Sequence, residues 1–287
     1  MKQKLKQLPL VGRAIHAFRY WTGVRRHQRA LKSGERPPLE AFTRFYRNPH
    51  QFDALLGPVL DFLEPETLGR PLRIVVLACS TGAEPYSIAS ALVNGRPDVP
   101  FEMLASDINA DNVNVCQQGD YSEEEIFSNE LLPDSFVERT FEKLQSAGGQ
   151  NSYVVRSEVR EKITFETLDA LDPDITGKTG KADILFLQNV LFNLTPDVSA
   201  PLFANALKVL ADRAVVFLDG VDINQRPVLT AEAGLKPLDY EIETIHKEVW
   251  RIRKDGWPGL YWGIEPYWPY RKDALQRYAT IYTYEKQ

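Results

Sequence analysis

The chain has 287 residues, 44% hydrophobic and 25% charged, room for one large α/β domain with or without a satellite. No apolar run approaches the roughly 20 residues of a membrane span, and the N-terminus lacks the apolar core and cleavage site of a secretory signal, so neither segment is expected. The formal charge of −5 conceals a split: residues 1–36 hold ten Lys and Arg against Glu35 alone, leaving −14 on the rest. That suggests an anionic partner for the basic arm or contact with the acidic body, with a plain solvated helical arm as the other reading, and the acidic body argues against a broad nucleic-acid footprint. Cys79 and Cys116, with His16, His27, His50 and His246, show no metal-ligand spacing, so no metal is expected. Reduced thiols in a cytoplasmic setting are the expectation.

In chain order, residues 5–32 place Leu5, Leu8, Val11, Ile15, Phe18 and Trp21 three or four apart, with basic residues over much of the other face. This is an amphipathic helix pattern, suited to a membrane surface, a partner or the protein's own domain. Ser33–Pro38 breaks it, and residues 39–63 read as an aromatic helix containing Arg47. Residues 1–63 therefore form a basic helical region ahead of a main domain over 64–287. Ile74–Leu77 is a buried strand followed by a turn of small residues, Ala78–Gly82, and a helix opened by Glu84 and Pro85. A strand, a small-residue turn and a helix N-terminus hold a nucleotide-like ligand at the carboxyl edge of a doubly wound sheet. Phe101–Ser106 is the next strand, and Asp107 at its end is placed to accept both ribose hydroxyls. Asn109–Gln118 reads as a helix closed by Gly119, and Tyr153–Glu158 with Lys162–Thr167 as a hairpin. Asp183–Leu187 and Ala214–Leu218 read as buried parallel strands, with Ser199–Leu210 a helix between them. Tyr240–Ile245, Glu248–Ile252 and Ala279–Tyr284 read as strands. Trp250, Trp257, Tyr261, Trp262, Tyr267, Trp268 and Tyr270 crowd the segment 250–287, either an aromatic wall for a substrate or a satellite cluster.

Two stretches go beyond pattern. ACSTGAEPYSIA at 78–89 closely resembles the ACSTGEEPYSIA signature of the CheR-type chemotaxis receptor methyltransferases, departing only at Ala83. TRFYRNPHQF at 43–52 resembles that family's T-x-F-F-R segment, with Thr43 and Arg47 in register. SDI at 106–108, G-x-Y at 119–121 and LQNVLFNL at 187–194 follow in the family's order. The resemblance implies an α/β fold: a Rossmann-like class I methyltransferase sheet with a helical N-terminal segment and a small inserted β-subdomain, about 131–165. It implies S-adenosylmethionine as cofactor and a pocket lined by Thr43, Arg47, Ala78, Glu84, Asp107, Asp169, Ala170, Leu187 and Gln188. The turn residues Cys79, Ser80, Thr81 and Gly82, and Asn189, join that set. Arg47 and Gln188 fall on the acceptor side as the catalytic candidates.

The acceptor half departs from the family. Gln188 stands for the Arg of CRNV, Asn193 for the Tyr of the IYF segment, Asp169-Ala170 for Asn-Leu, and DGVDIN at 219–224 for a GHSE-like run. Three readings follow. The first is methylation of a protein side-chain carboxylate, which is already ionised and needs no base, with Arg47 orienting it. The second is methylation of a small-molecule or glycan hydroxyl against the aromatic C-terminus, which wants a base such as Asp219, Asp222 or His246. The third is a cofactor-binding sensor without catalysis.

Overall fold

The computed structural model describes residues 43–129, 131–145, 151–251, 265 and 267–286, together with Phe18, Thr22, Arg25 and Arg29. Of the helix expected over 5–32, only those four residues are described, and they are helical, Thr22 donating its hydroxyl to the Phe18 carbonyl at 3.0 Å. The rest of it lies outside the described residues.

The second expected helix begins later than its apolar content suggests. Residues 43–48 are irregular, with Tyr46 at φ 53°. The helix starts at Pro49, a residue suited to a first turn because its missing N–H needs no partner there. It runs over Pro49–Ala54, loosens into a π-turn at Leu55–Val59, and closes over Leu60–Leu63. Pro58 cannot donate to the preceding turn, and Gly57 beside it leaves helical φ/ψ, which accounts for the looser turn.

The main sheet follows. Strands β1 (Leu72–Leu77), β2 (Phe101–Asp107), β6 (Ile163–Thr167), β7 (Ala182–Gln188), β8 (Leu210–Asp219), β9 (Lys236–Pro237) and β10 (Ile281–Glu285) lie in the order β6-β2-β1-β7-β8-β10-β9. β6, β2, β1, β7 and β8 are mutually parallel, and β10 is antiparallel to its neighbours. Alternate residues feed two cores. Ile74, Val76, Ile184, Phe186, Val215 and Phe217 face the helix Ala83–Gly95 and the segment 45–63; Val75, Leu77, Leu185, Leu187, Val216 and Leu218 face the helix Pro196–Leu207 and the tyrosines Tyr278 and Tyr282. All seven residues of β7 are buried, as a strand covered on both faces requires. The chain moves outward through β1, β2 and β6, then returns to β7 on the other side of β1. The crevice between the carboxyl ends of β1 and β7 is therefore the switch point where such sheets bind ligands.

Two local expectations are corrected. Asn151–Val155 (β5) does not pair with residues 163–167 as a hairpin. It pairs antiparallel with Asp120–Ser122 (β3) and Phe141–Gln145 (β4) in a separate three-stranded sheet, while β6 joins β2 in parallel. The short helix Ser157–Arg160 between them turns the chain from one sheet to the other. The small sheet thus draws on residues 120–155. Residues 240–252, expected as strands, contain the helix Ile242–Arg251. Ile242, Ile245 and His246 are buried at helical spacing, while Glu243 and Lys247 pair on the exposed face at i, i+4. Their β-branched content suggested strand, and packing decided otherwise.

Candidate active site

The turn after β1 is built from backbone conformations that only small residues adopt readily. Ala78, Ser80 and Gly82 all have positive φ, at 61°, 51° and 91°. The Cys79 N–H donates to the Ser106 carbonyl at 2.8 Å and Gly82 N–H to the Cys79 carbonyl at 3.1 Å. A Cβ at Gly82 would stand 2.8 Å from the Tyr121 hydroxyl and 3.0 Å from Cys116 Sγ, so the turn lies directly on the residues beneath it. Tyr121 also donates to the Thr81 carbonyl at 2.6 Å. The two thiols sit under this turn, and the hydrogen bond between them, with burial, pushes the Cys79 thiol well up. The Cys79 thiol is a protonated packing group, and Cys116 is buried beside it.

Asp107 ends β2 and is tied to the same turn. Its Oδ2 accepts from the Ser80 N–H at 2.8 Å, and its Oδ1 accepts from the Asn109 N–H at 2.9 Å and the Asn112 amide at 3.2 Å. A carboxylate offers about four acceptor positions, so this arrangement leaves one, not two, for a ligand hydroxyl. Asp169 and Ala170 follow β6 at the same edge. The Asp169 carboxylate is exposed and accepts from the Leu171 N–H at 2.8 Å, and the Ala170 carbonyl accepts from Asn205 at 2.7 Å. Leu187 is fully buried in the core, so only its backbone reaches the edge.

Arg47 and Glu84 come together from segments far apart in sequence. Glu84 stands in the first turn of the helix Ala83–Gly95. Burial pushes its carboxyl up to about 8, with Arg47 opposing and Asp219 adding to the rise. Burial lowers the Arg47 guanidinium, and Asp219 and Glu84 oppose that. Thr43, four residues earlier, is partly exposed on the same irregular segment. Asp219 ends β8 directly beside Gln188 at the end of β7. It accepts from the Gly220 N–H at 2.7 Å and from the buried Arg226 at 3.1 Å. Asn189 follows at φ 58°, its N–H bonded to the Asp219 carbonyl at 3.0 Å. Gly220 has φ 65°, and a Cβ there would lie 2.6 Å from Asn189 Cα, so these two strand ends touch through backbone alone.

Gln188 belongs to a buried amide network that sequence reasoning missed. Its Nε2 donates to Gln51 Oε1 at 2.9 Å, Asn48 Nδ2 donates to the same oxygen at 3.2 Å, and Gln51 Nε2 donates to Thr280 Oγ1 at 2.8 Å. The available signal was the position of Gln51 close after Arg47, within the TRFYRNPHQF stretch. Two candidate bases are otherwise occupied. His246 is buried against Tyr267 and Tyr278, its Nε2 lies 2.6 Å from the Glu265 carbonyl, and burial pushes its pKa down to about 4. It is neutral and structural. The Asp222 side chain accepts from the Asn224 and Gln225 N–H groups, shaping the turn before Arg226. Of the aromatic wall expected over 250–287, Tyr267 packs on Tyr278 and Trp268 stacks on Tyr270, while residues 252–264 lie outside the described residues.

The edge fits a sulfonium nucleoside in three respects. Ser80 Oγ is buried with no protein partner, the left-handed turn brings bare backbone to the crevice, and Glu84 is a carboxyl enclosed enough to want a cation. A family model described as CheR methyltransferase, SAM binding domain, matches residues 41–227. The chain belongs to this family. Its cofactor is S-adenosylmethionine, and its domain is that of a SAM-dependent methyltransferase. The probable biofilm formation methyltransferase WspC of Pseudomonas putida is 26% identical over 239 residues, which is 83% of this chain and 54% of that one. Chemotaxis protein methyltransferase 2 of Pseudomonas aeruginosa is 31% identical over 177 residues, 61% of this chain and 60% of that one. The chain spans about half the length of the curated relatives it matches. Among solved structures, the magnesium protoporphyrin IX methyltransferase of Synechocystis PCC 6803 with bound SAM covers 66% of this chain and 69% of its own at 14% identity. The TM-score is 0.38, too loose a likeness to bear on the site.

Proposed function

We propose that this CheR-type methyltransferase methylates a carboxylate oxygen on a protein side chain. The observation that carries the reading is that the candidate bases Asp219, Asp222 and His246 are each engaged in the protein's own structure, which leaves none of the three as a base for a hydroxyl acceptor. Arg47 is coupled electrostatically to Glu84 and Asp219, and a guanidinium can take a carboxylate by two parallel hydrogen bonds. A hydroxyl acceptor needs its proton removed. Asp219 is held by Arg226 and Gly220, Asp222 by its own turn, and His246 by burial.

When bound, S-adenosylmethionine supplies an electrophilic methyl group on a sulfonium sulfur. Asp107 would accept a ribose hydroxyl at its remaining acceptor position, and the Glu84 carboxylate would receive the ammonium of the amino-acid moiety. Thr43, Asp169, Ala170, Asn189 and the backbone of Ala78–Gly82 and Leu187 complete the cofactor edge. Arg47 would orient the acceptor carboxylate toward the methyl group, and holding that alignment is the main requirement of a displacement reaction.

The test is calorimetric titration with S-adenosylmethionine and S-adenosylhomocysteine, followed by labelled-methyl transfer into fractionated lysate. Label in protein, released by mild base, is the expected result. Base-stable label in a small-molecule or glycan fraction would replace the carboxylate reading with the hydroxyl one. Arg47→Ala should keep the fold and lower turnover on the order of 100-fold, the loss of a paired, charge-assisted contact; full activity in that variant would reduce Arg47 to packing.

A further inference from the structure

The amide network around Gln51 has a direction, and that direction gives Gln188 a definite chemical face. Gln51 Oε1 receives both the Gln188 Nε2 and the Asn48 Nδ2, and its own Nε2 is spent on Thr280. Reversing all three amides would preserve the contacts around Gln51. It would also turn the Asn48 NH2 to the place now held by Asn48 Oδ1, a buried atom without a partner. Asn48 is 3% exposed, and an orphaned buried donor group is rarer and costlier than an orphaned carbonyl oxygen. The network is therefore held in one sense. With its nitrogen turned to Gln51, the Gln188 amide aims its oxygen the other way. Gln188 is the last residue of β7, at the carboxyl end beside the β1–β7 crevice.

Resting on the cofactor reading above, we propose that Gln188 presents its carbonyl oxygen to the methyl-bearing sulfur, and that Gln51 is the positioning residue that turns it there. A ligand held by Asp107 on β2 and by Glu84 beyond the β1 turn must cross this crevice, and the sulfur is the atom joining its two arms. A carbonyl oxygen accepts weak hydrogen bonds from C–H groups polarised by a neighbouring positive charge. The contact exists with the sulfonium and its methyl group and is lost with the neutral thioether product. Gln188 thus orients the methyl group and discriminates donor from product, a role that an Arg at this position could not play because a guanidinium only donates. Thr280, just ahead of β10, gives the C-terminal segment a direct hand in this orientation.

The experiment compares the 287-residue wild-type chain with Gln51→Leu, Gln51→Glu and Gln188→Leu, using S-adenosylmethionine and S-adenosylhomocysteine in calorimetry and methyl-13C-labelled S-adenosylmethionine in NMR. Gln51→Leu and Gln188→Leu should each shrink the preference for S-adenosylmethionine over S-adenosylhomocysteine by about two- to fivefold. They should also move the bound methyl proton resonance upfield. Gln51→Glu keeps an acceptor for the Gln188 nitrogen and should restore both readouts. An unchanged ratio and resonance in Gln51→Leu overturns the proposal, as does an equal loss of affinity for both ligands, which would make Gln51 a packing residue. A wild type that binds neither ligand would bring down the cofactor reading itself, an outcome distinct from either of these.

Discussion

The two halves of the sheet edge are wired differently. On the β1–β2 side, Asp107 is held by Ser80, Asn109 and Asn112, so every partner lies within one stretch of chain, and two of the three bonds come from backbone N–H groups. On the β7–β8 side the bonds cross long separations: Gln51 to Thr280 over 229 residues, His50 to Glu248 over 198, Gln188 to Gln51 over 137. The first half is a motif that carries its own scaffold. The second is assembled only when the N-terminal and C-terminal segments dock, and its side chains can change together without disturbing the turn. Most of this chain's departures from its family's pattern fall there, at Gln188, Asn193 and Asp219–Asn224, with Ala83 and Asp169-Ala170 the exceptions on the other side.

The largest effect expected from breaking this division is on the C-terminal side. Glu265 is 1% exposed and accepts from Arg277, with Nη2 at 3.0 Å, and from the Tyr278 hydroxyl at 2.7 Å. Arg277→Met removes the buried guanidinium paired with that carboxylate, a loss of about 3–5 kcal/mol. In a chain of this size that is a fall in melting temperature on the order of 10 °C. At 20 °C its affinity for S-adenosylhomocysteine should stay within about twofold of wild type, because the β1–β2 side does not depend on it. Asp107→Ala should do the reverse. It strands the Ser80 and Asn109 N–H groups at a cost of about 1–3 kcal/mol, and it removes a charge-assisted bond to the ligand, on the order of 10- to 100-fold in affinity. If Arg277→Met weakens the ligand as much as Asp107→Ala does, the two halves are one unit and the comparison fails.

The same division explains what could be read from the sequence. The strands at Ile74–Leu77, Phe101–Ser106, Asp183–Leu187 and Ala214–Leu218 were legible because a parallel sheet buried on both faces demands continuous apolar runs. The helix after Asn109 was legible because Asn109 caps it, accepting from the Asp111 N–H at 2.9 Å, and Gly119 ends it in the left-handed region. The small-residue turn was legible because positive φ at Ala78, Ser80 and Gly82 selects compact side chains in a row. Gln51 and Thr280 gave no such signal, since nothing local requires a Gln or a Thr at those positions and their meaning appears only when they meet. The helix Ile242–Arg251 was misread for a related reason. Its buried face is set by contact with Tyr267, Tyr278 and His50, and its β-branched composition pointed elsewhere. Ile163–Thr167 alternates correctly for a strand, but alternation does not name the partner strand.

Glu84 sits on the seam and offers the finest test, because its charge answers to both halves. Burial raises its carboxyl to about 8, against a value near 4.3 in an unfolded chain. The folded protein therefore binds this proton more tightly than the unfolded one between those two values. The associated stability is fully present below about pH 4.3 and is lost as pH rises through about 8. An ammonium placed against Glu84 favours the carboxylate, so binding of S-adenosylhomocysteine should expel the proton across that window. At pH 7 the release should approach about 0.9 proton per site. It is read from the slope of calorimetric enthalpy against buffer ionisation enthalpy, with phosphate and Tris as the two extremes. Glu84→Gln should flatten that slope and weaken the ligand. Equal slopes in wild type and variant would take the ammonium away from Glu84 and leave it as the partner of Arg47, the one change that would move it wholly into the acceptor half.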